Sequence, residues 1–229
     1  MHAKDMYIFI GPPGSGKGSL AQLCMQQWGW SKLSTGDLCR EHIAQQTEIG
    51  KQIDFSIKNG KLITDRLISE MVQAWLKEHY GLMKGLIFDG FPRTASQAEK
   101  LEHLLQSDMV SAAKLHVIEL DVSDDVVVNR LTSRRICSNA HCQQVYSVCD
   151  SSLSPQQKDI CDQCSCELCK RSDDDSDVIT SRIASYRRSI THVMNYYSGI
   201  GRAIKKIQAD LPIGEVLNGL KGIIERDSH

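Results

Sequence analysis

The sequence predicts an α/β fold in which a parallel sheet is flanked by helices on both faces. Three observations carry this. Short apolar, β-rich runs recur along the chain, helical patterns separate them, and the first run, Tyr7–Ile10, leads straight into Gly11-x4-Gly16-Lys17. Alternation of strand and helix favours parallel pairing, because each return to the sheet carries a helix across one of its faces.

The elements follow in order. Strands are expected at Tyr7–Ile10, just before Ser34, at Leu86–Phe88, His116–Leu120 and Ala203–Ile207. Helical periodicity marks Lys17–Gln27, Leu67–His79, Ser96–Leu105 and Asp124–Arg134, and one long helix from about Asp177. Two segments break the alternation. Residues 34–63 are polar and helical without a strong strand, and Cys137–Cys169 is rich in Cys, Ser, Gln and Asp. Both read as insertions mounted on the sheet domain, and "DSSLSPQQKD" within the second reads as a solvated loop.

A chain of 229 residues suffices for one substantial domain with insertions. Hydrophobic residues make up 41%, charged residues 24%, and the formal net charge is −1, so no bulk attraction to nucleic acid or an anionic membrane is expected. No apolar run approaches the roughly 18 residues that span a bilayer. The opening "MHAKDMYIFIGPPG" has too short an apolar run for a signal peptide, so a cytoplasmic protein is expected. Seven of the nine cysteines lie between Cys137 and Cys169, and such clustering in a reducing compartment argues for metal rather than disulfides.

The Gly11–Lys17 stretch fits the phosphate-binding loop pattern, and a strand before it and a helix after it give the context the pattern requires. Glycines let backbone N–H groups turn inward, the helix N-terminus adds positive potential, and Lys17 reaches the outer phosphates as a point charge. Gly18 stands where many such loops carry a magnesium-binding Ser or Thr, with Ser19 one place later. Magnesium is therefore expected to be held mainly by phosphates and water.

In the cysteine cluster, Cys137-x4-Cys142 and Cys161-x2-Cys164 are separated by 18 residues, which lets two knuckles close a tetrahedral four-sulfur site that favours zinc. Cys166-x2-Cys169 is a competing second pair, and His141 is an alternative to Cys142. With every ligand supplied by protein, the site would be structural.

With these features in hand, "GPPGSGKGS", "STGDLCR", "GKLITD", "LIFDGFPRTASQ", "NRLTSRR" and "RSDDDSDVITSRI" follow one another in an order that closely resembles the adenylate kinases. The resemblance covers nearly the whole chain and matches the long-lid form with a zinc site in the lid. It implies a P-loop kinase fold, with a core of residues 1–33, 64–132 and 175–229, an AMP-binding insertion at 34–63 and a zinc-binding lid at 133–174. It implies reversible, magnesium-dependent phosphoryl transfer from ATP to AMP giving two ADP, by a monomer with no nucleic-acid or membrane partner.

The same resemblance assigns roles. Gly11, Gly14, Ser15, Gly16, Lys17, Gly18 and Ser19 would cradle ATP, with Arg130, Arg134 and Tyr146 near the donor. Thr35, Arg40, Ile63, Gly90, Arg93 and Gln97 would bind AMP, and Arg171 and Arg182 would reach it from the lid side. Lys17, Arg93, Arg130, Arg134, Arg171 and Arg182 would neutralise the transferring group. Asp89, ending an apolar strand, would order magnesium-bound water. The Phe91–Pro92 bond is expected to be cis. Asp37 and Asp173–Asp175 read as caps and hinge ion pairs, and Cys24 and Cys39 as small buried hydrophobes.

Two rival readings remain. One is a P-loop protein whose zinc ribbon binds nucleic acid, but residues 133–171 carry five Lys/Arg against four Asp/Glu, which is no basic patch. The nearer rival is a kinase for another nucleoside monophosphate.

Overall fold

The computed structural model describes residues 4–59, 63–107, 110, 113–139, 142, 144–150 and 153–227. Five strands form one sheet: β1 (Asp5–Ile10), β2 (Ser31–Ser34), β3 (Gly85–Asp89), β4 (Lys114–Asp121) and β8 (Ile204–Gln208), in the order β2-β3-β1-β4-β8. Every neighbouring pair is parallel. The remaining strands, β5 (Arg134–Cys137), β6 (Val145–Ser147) and β7 (Leu168–Cys169), form a separate antiparallel sheet in the order β6-β5-β7.

The central strand shows why the sheet is buried on both sides. Side chains alternate across a strand. In β1, Met6, Ile8 and Ile10 join one apolar cluster, while Tyr7 and Phe9 join the other. A run apolar at every position is what a parallel strand covered on both faces requires. Over the first face pack α4 (Asp65–His79), α5 (Ala95–Leu105) and the long α7 (Ser176–Gly199), contributing Val72, Leu101 and Tyr197 among others. Over the second pack α1 (Lys17–Trp28) and α8 (Ile213–Asp227), with Leu20, Cys24 and Leu220. Cys24 and Cys39 are buried, as small apolar residues would be.

On that second face the aromatic rings form a contiguous run. Trp28 tilts against Trp30 at 38°, Trp30 stacks on Tyr7 and Tyr7 on His116, with centroids 4.6, 4.6 and 4.7 Å apart. The third tryptophan, Trp75 of α4, stacks on His79.

Between β2 and α4 lie α2 (Thr35–Ala44) and α3 (Glu48–Lys58), which with α4 enclose a small core of Cys39, Ile53, Leu67 and Met71, and Ile63 packs against it. Ser34 caps α2 by accepting the Asp37 N–H, and Thr47 caps α3 by accepting that of Gly50. α6 (Asp124–Ser133) hands the chain to β5. The helix expected to run to Arg134 ends one residue sooner, because Arg134 takes an extended conformation and begins the small sheet. Return to the main domain passes through a single 3-10 turn at Ser172–Asp174 into α7.

Candidate functional site

One cavity of about 640 Å³ opens along the C-terminal ends of β1 and β3. All seven loop residues named above, from Gly11 to Ser19, line it, and so do Arg40, Asp89, Gly90, Arg93, Arg130, Arg134, Arg171 and Arg182. Ligand sites in open parallel sheets lie at this edge, where strands end and the chain turns into helices.

The loop after β1 is held by its own backbone. Ser15 is buried and its N–H donates to Pro12 O at 3.1 Å. Gly14 has φ +83°, and a Cβ there would come 2.8 Å from Leu131 Cγ and 3.1 Å from the Val127 carbonyl oxygen. Both conformation and space therefore demand glycine. Lys17 opens α1. Its Nζ donates to Gly11 O, Pro12 O and Ser15 Oγ at 2.6, 2.9 and 3.2 Å, so the cation lies across the loop it would serve. Burial lowers the Lys17 ammonium to about 8; Asp89 opposes this, while Arg93, Arg182 and Arg134 add to it.

Four of the six cavity arginines fall into two groups by the acids that hold them. Arg134 grips Asp174 with Nε and Nη2 at 2.8 and 2.6 Å, and Asp174 is wholly buried. Arg182 donates to Asp173 O at 2.8 Å and pairs with both Asp173 and Asp174 at 3.1 and 3.4 Å, and Arg171 reaches Asp173 at 3.3 Å. The acids read as caps and hinge pairs are thus the anchors of three cavity arginines. At the other end, Arg40 pairs with Asp37, and Lys32 approaches the same carboxylate at 3.5 Å. Burial raises the Asp37 carboxyl, but Lys32, the Ser34 hydrogen bond and Arg40 outweigh it and hold the group below the usual carboxylate range. Arg130 Nη2 donates to Leu211 O at 3.3 Å.

Arg93 follows the turn after β3. The Phe91–Pro92 bond is cis, as expected. Gly90 has φ +77°, and its carbonyl accepts from Arg93 Nε at 2.8 Å and from Thr35 Oγ1 at 3.0 Å.

Three residues expected to bind AMP lie outside the cavity lining. Ile63 is packed in the α2–α4 core. Thr35 is buried and spends its hydroxyl on Gly90. Gln97 is buried too: its Oε1 accepts the Arg93 N–H at 2.8 Å and its Nε2 donates to Asp65 Oδ1 at 2.7 Å. Asp65 Oδ2 also accepts from Thr94 Oγ1 at 2.7 Å. In this arrangement Thr35 and Gln97 hold the frame that aims Arg93. Asp65 and Lys32 are the members that the sequence reading missed. Asp65 closes the "GKLITD" segment, but its partners are distant in sequence; Lys32 is hidden in a short strand.

The four cysteines chosen from sequence come together. Cys137, Cys142, Cys161 and Cys164 place their Sγ atoms within 4.8 Å of one another. Two of the separations are 3.3 Å (Cys137–Cys164) and 3.6 Å (Cys142–Cys161). Sulfurs at about 2.3 Å from a tetrahedral zinc stand about 3.8 Å apart, so this donor set fits such an ion. Cys166 and Cys169 are not in the group, Cys169 being exposed in β7, and His141 lies outside the described residues.

Tyr146 takes a place that the donor-side expectation did not foresee. It borders the cavity, yet it is buried, and its hydroxyl is engaged by the cysteines: 3.5 Å from Cys161 Sγ, and accepting the Asp162 N–H at 2.7 Å. Burial raises the Cys161 thiol, but this hydroxyl, the N–H groups of Gln163 and Cys164, and Cys142 together bring it down to about 6.

The family model described as Adenylate kinase matches residues 9–202. Curated relatives named adenylate kinase agree over most of the chain. That of Thermotoga neapolitana is 37% identical over 220 residues, 95% of this chain and 96% of its own. That of Treponema denticola is 39% identical over 191 residues, covering 83% and 86%, and that of Thermodesulfovibrio yellowstonii 36% over 219, covering 96% and 98%. The chain belongs to the adenylate kinase family of nucleoside monophosphate kinases.

Proposed function

We propose that the protein catalyses reversible, magnesium-dependent phosphoryl transfer from ATP to AMP, giving two ADP. The observation that carries this reading is a single cavity lined together by the phosphate-binding loop and six arginines. Two nucleotides meeting through their phosphates bring about six negative charges into one cleft, and this concentration of fixed cations is the complement they need.

In the reaction an AMP phosphate oxygen forms a bond to the γ-phosphorus while the bond from that phosphorus to the β–γ bridging oxygen breaks, and ADP leaves with the electron pair. The attacking oxygen is already ionised at neutral pH, so no side chain need remove a proton. Lys17 and the loop N–H groups from Gly11 to Ser19 hold the donor. Arg40 and Arg93 orient the acceptor phosphate. Arg130, Arg134, Arg171 and Arg182 meet the charge that spreads over the transferring group, using forks that grip two oxygens at once. Thr35, Ile63 and Gln97 serve the AMP side from behind the cavity wall: Thr35 and Gln97 hold the turn that aims Arg93, and Ile63 packs in the α2–α4 core.

Magnesium arrives with ATP and supplies charge neutralisation. Asp89, whose Oδ2 would lie 3.8 Å from a Cβ on Gly18, is the carboxylate beside the loop suited to order its waters. Residues 34–63 then close over AMP and residues 133–174 over ATP, excluding water that would otherwise take the phosphoryl group. Zinc at the four cysteines, structural rather than catalytic, stiffens the second segment. The enzyme works as a monomer in the cytoplasm, a compartment whose reducing conditions keep such thiols available to metal. No helix among the described residues is long and apolar enough to cross a membrane.

Purified protein incubated with Mg-ATP and each nucleoside monophosphate in turn tests the reading. Rapid diphosphate formation with AMP alone is expected. Equal or faster turnover of another monophosphate would move the assignment to that substrate.

A further inference from the structure

Lys32 stands on β2 and lines the cavity, yet no role described so far uses it. It shares Asp37 with Arg40. Lys32 Nζ lies 3.5 Å from Oδ2, and Arg40 Nη2 is paired with Oδ1, so each carboxylate oxygen carries one cation. The three side chains differ in freedom. Asp37 sits in the first turn of α2, with its N–H bonded to the Ser34 cap, so its carboxylate stays with the helix. Lys32 is about three-quarters covered, its side chain 26% exposed. Arg40 and Asp37 are similarly exposed, at 55% and 50%, but the longer Arg40 side chain has the reach to turn into the cavity while the short aspartate cannot leave its helix turn.

This matters once a phosphate arrives. Arg40 meets Asp37 through Nη2, and turning its fork squarely onto a phosphate dianion gives up that bond. When Arg40 turns to the anion, Asp37 stays beside the site as a negative charge that both repels the ligand and draws Arg40 back. A second cation on the other oxygen removes that penalty.

We propose that Lys32 is a positioning residue for the acceptor nucleotide: it holds the charge of Asp37 so that Arg40 is released to the monophosphate. The inference rests on the reading of Arg40 as an acceptor-phosphate clamp. Lys32 acts through Asp37 and does not itself touch the nucleotide.

The test varies AMP at saturating Mg-ATP and, independently, titrates AMP into each variant calorimetrically. Lys32→Met keeps the length and removes the charge; it should raise KM and Kd for AMP about tenfold, with kcat and the KM for ATP changed by no more than about twofold. Lys32→Arg keeps the charge and should stay close to the parent. Lys32→Met combined with Asp37→Asn should recover most of the lost AMP affinity, because the charge needing compensation is gone. Three results would overturn the inference: unchanged AMP affinity in Lys32→Met, an equal rise in the KM for ATP, or a defect that persists with Asp37→Asn, which would mean that Lys32 touches the phosphate directly. Arg40→Ala separates the two levels. If it leaves AMP affinity intact, the clamp reading fails and this inference with it; if it weakens AMP while Lys32→Met does not, only the inference fails.

Discussion

Arg134 holds Asp174 through two hydrogen bonds of 2.8 and 2.6 Å, and no part of Asp174 reaches solvent. This pair ties the first residue of β5 to the turn that leads into α7, so both strands of chain entering and leaving the 133–174 segment meet at one buried carboxylate. Arg182 leans on the same carboxylate.

Asp174→Asn should therefore lower stability and transfer together. Removing one member of a buried ion pair costs about 3–5 kcal/mol, because the remaining charge loses its partner without regaining water. The amide keeps one acceptor, so the lower end of that range is expected. Thermal unfolding followed by circular dichroism checks the first effect and ADP formation the second. A variant as stable and as active as the parent would contradict this anchoring.

Lys17→Met should abolish most transfer, a loss on the order of 10²–10³ for one electrostatic contact to the transferring phosphates. The variant should also melt higher at pH 7. The ammonium is lowered to about 8 by burial, from an ordinary value near 10.5, so the unfolded chain binds more protons between those values and stability rises with pH across that window. Below about 8 the full cost of burying the charge is present, and methionine does not incur it. The stabilisation by Lys17→Met should shrink as pH rises from 8 to 10.5. In the wild type, kcat/KM should decline above about pH 8 as free Lys17 loses its proton.

Arg93→Ala should strike AMP rather than ATP. Its backbone N–H and Nε are bonded to Gln97 and Gly90, and Arg93 lines the cavity at the turn after β3, where the proposed function puts the AMP phosphate. A rise in the KM for AMP with an unchanged KM for ATP is the expected pattern in steady-state kinetics. If only the ATP dependence moved, the division of arginines proposed above would be wrong.

Cys161→Ser, or chelation of the metal, should melt the 133–174 segment first. Among the described residues its apolar cluster has only Tyr146 and Leu168 beside the cysteines, too little for an independent core, so a metal at the four sulfurs would supply the missing folding energy. Hydrogen exchange should accelerate in β5–β7 and not in β1, β3 or β4. Transfer should fall only as far as that order is lost; unchanged exchange with vanished activity would instead make the metal catalytic.

Tyr197→Phe should be neutral or stabilising by about 1 kcal/mol, in a denaturant titration, because the Tyr197 hydroxyl is buried with no hydrogen-bond partner among the described residues and its removal relieves a desolvated polar group. A loss of stability would mean that the hydroxyl is satisfied by ordered water.

How far the sequence spoke for itself depended on the length and locality of each signal. Tyr7–Ile10 with Gly11–Lys17 is a long local pattern, and it lands on β1, the loop and α1, with β1 starting two residues earlier and α1 ending one residue later than expected. The strands of the second sheet span four, three and two residues, shorter than a period-2 pattern needs to declare itself. α8 was masked by Gly219 and Gly222 within it. Cysteine spacing left Cys161/Cys164 and Cys166/Cys169 as competing second pairs; the family resemblance points to the first, and it is those sulfurs that converge with Cys137 and Cys142. The inward turn of Tyr146 and the Gln97–Asp65 bond were invisible because each depends on a partner 15 to 32 residues away in the chain.

The contiguous run of Trp28, Trp30, Tyr7 and His116, with Trp75 on α4, has a practical consequence for watching this molecule work. All three tryptophans belong to the sheet domain and none lines the cavity, while the 133–174 segment carries no tryptophan and a single tyrosine, Tyr146. Intrinsic tryptophan emission is therefore a gauge of the sheet and its helices, not of the 133–174 segment. An optical melt read that way has no reporter inside that segment, and a fluorophore placed within 133–174, away from the four sulfurs, is what would make changes there visible.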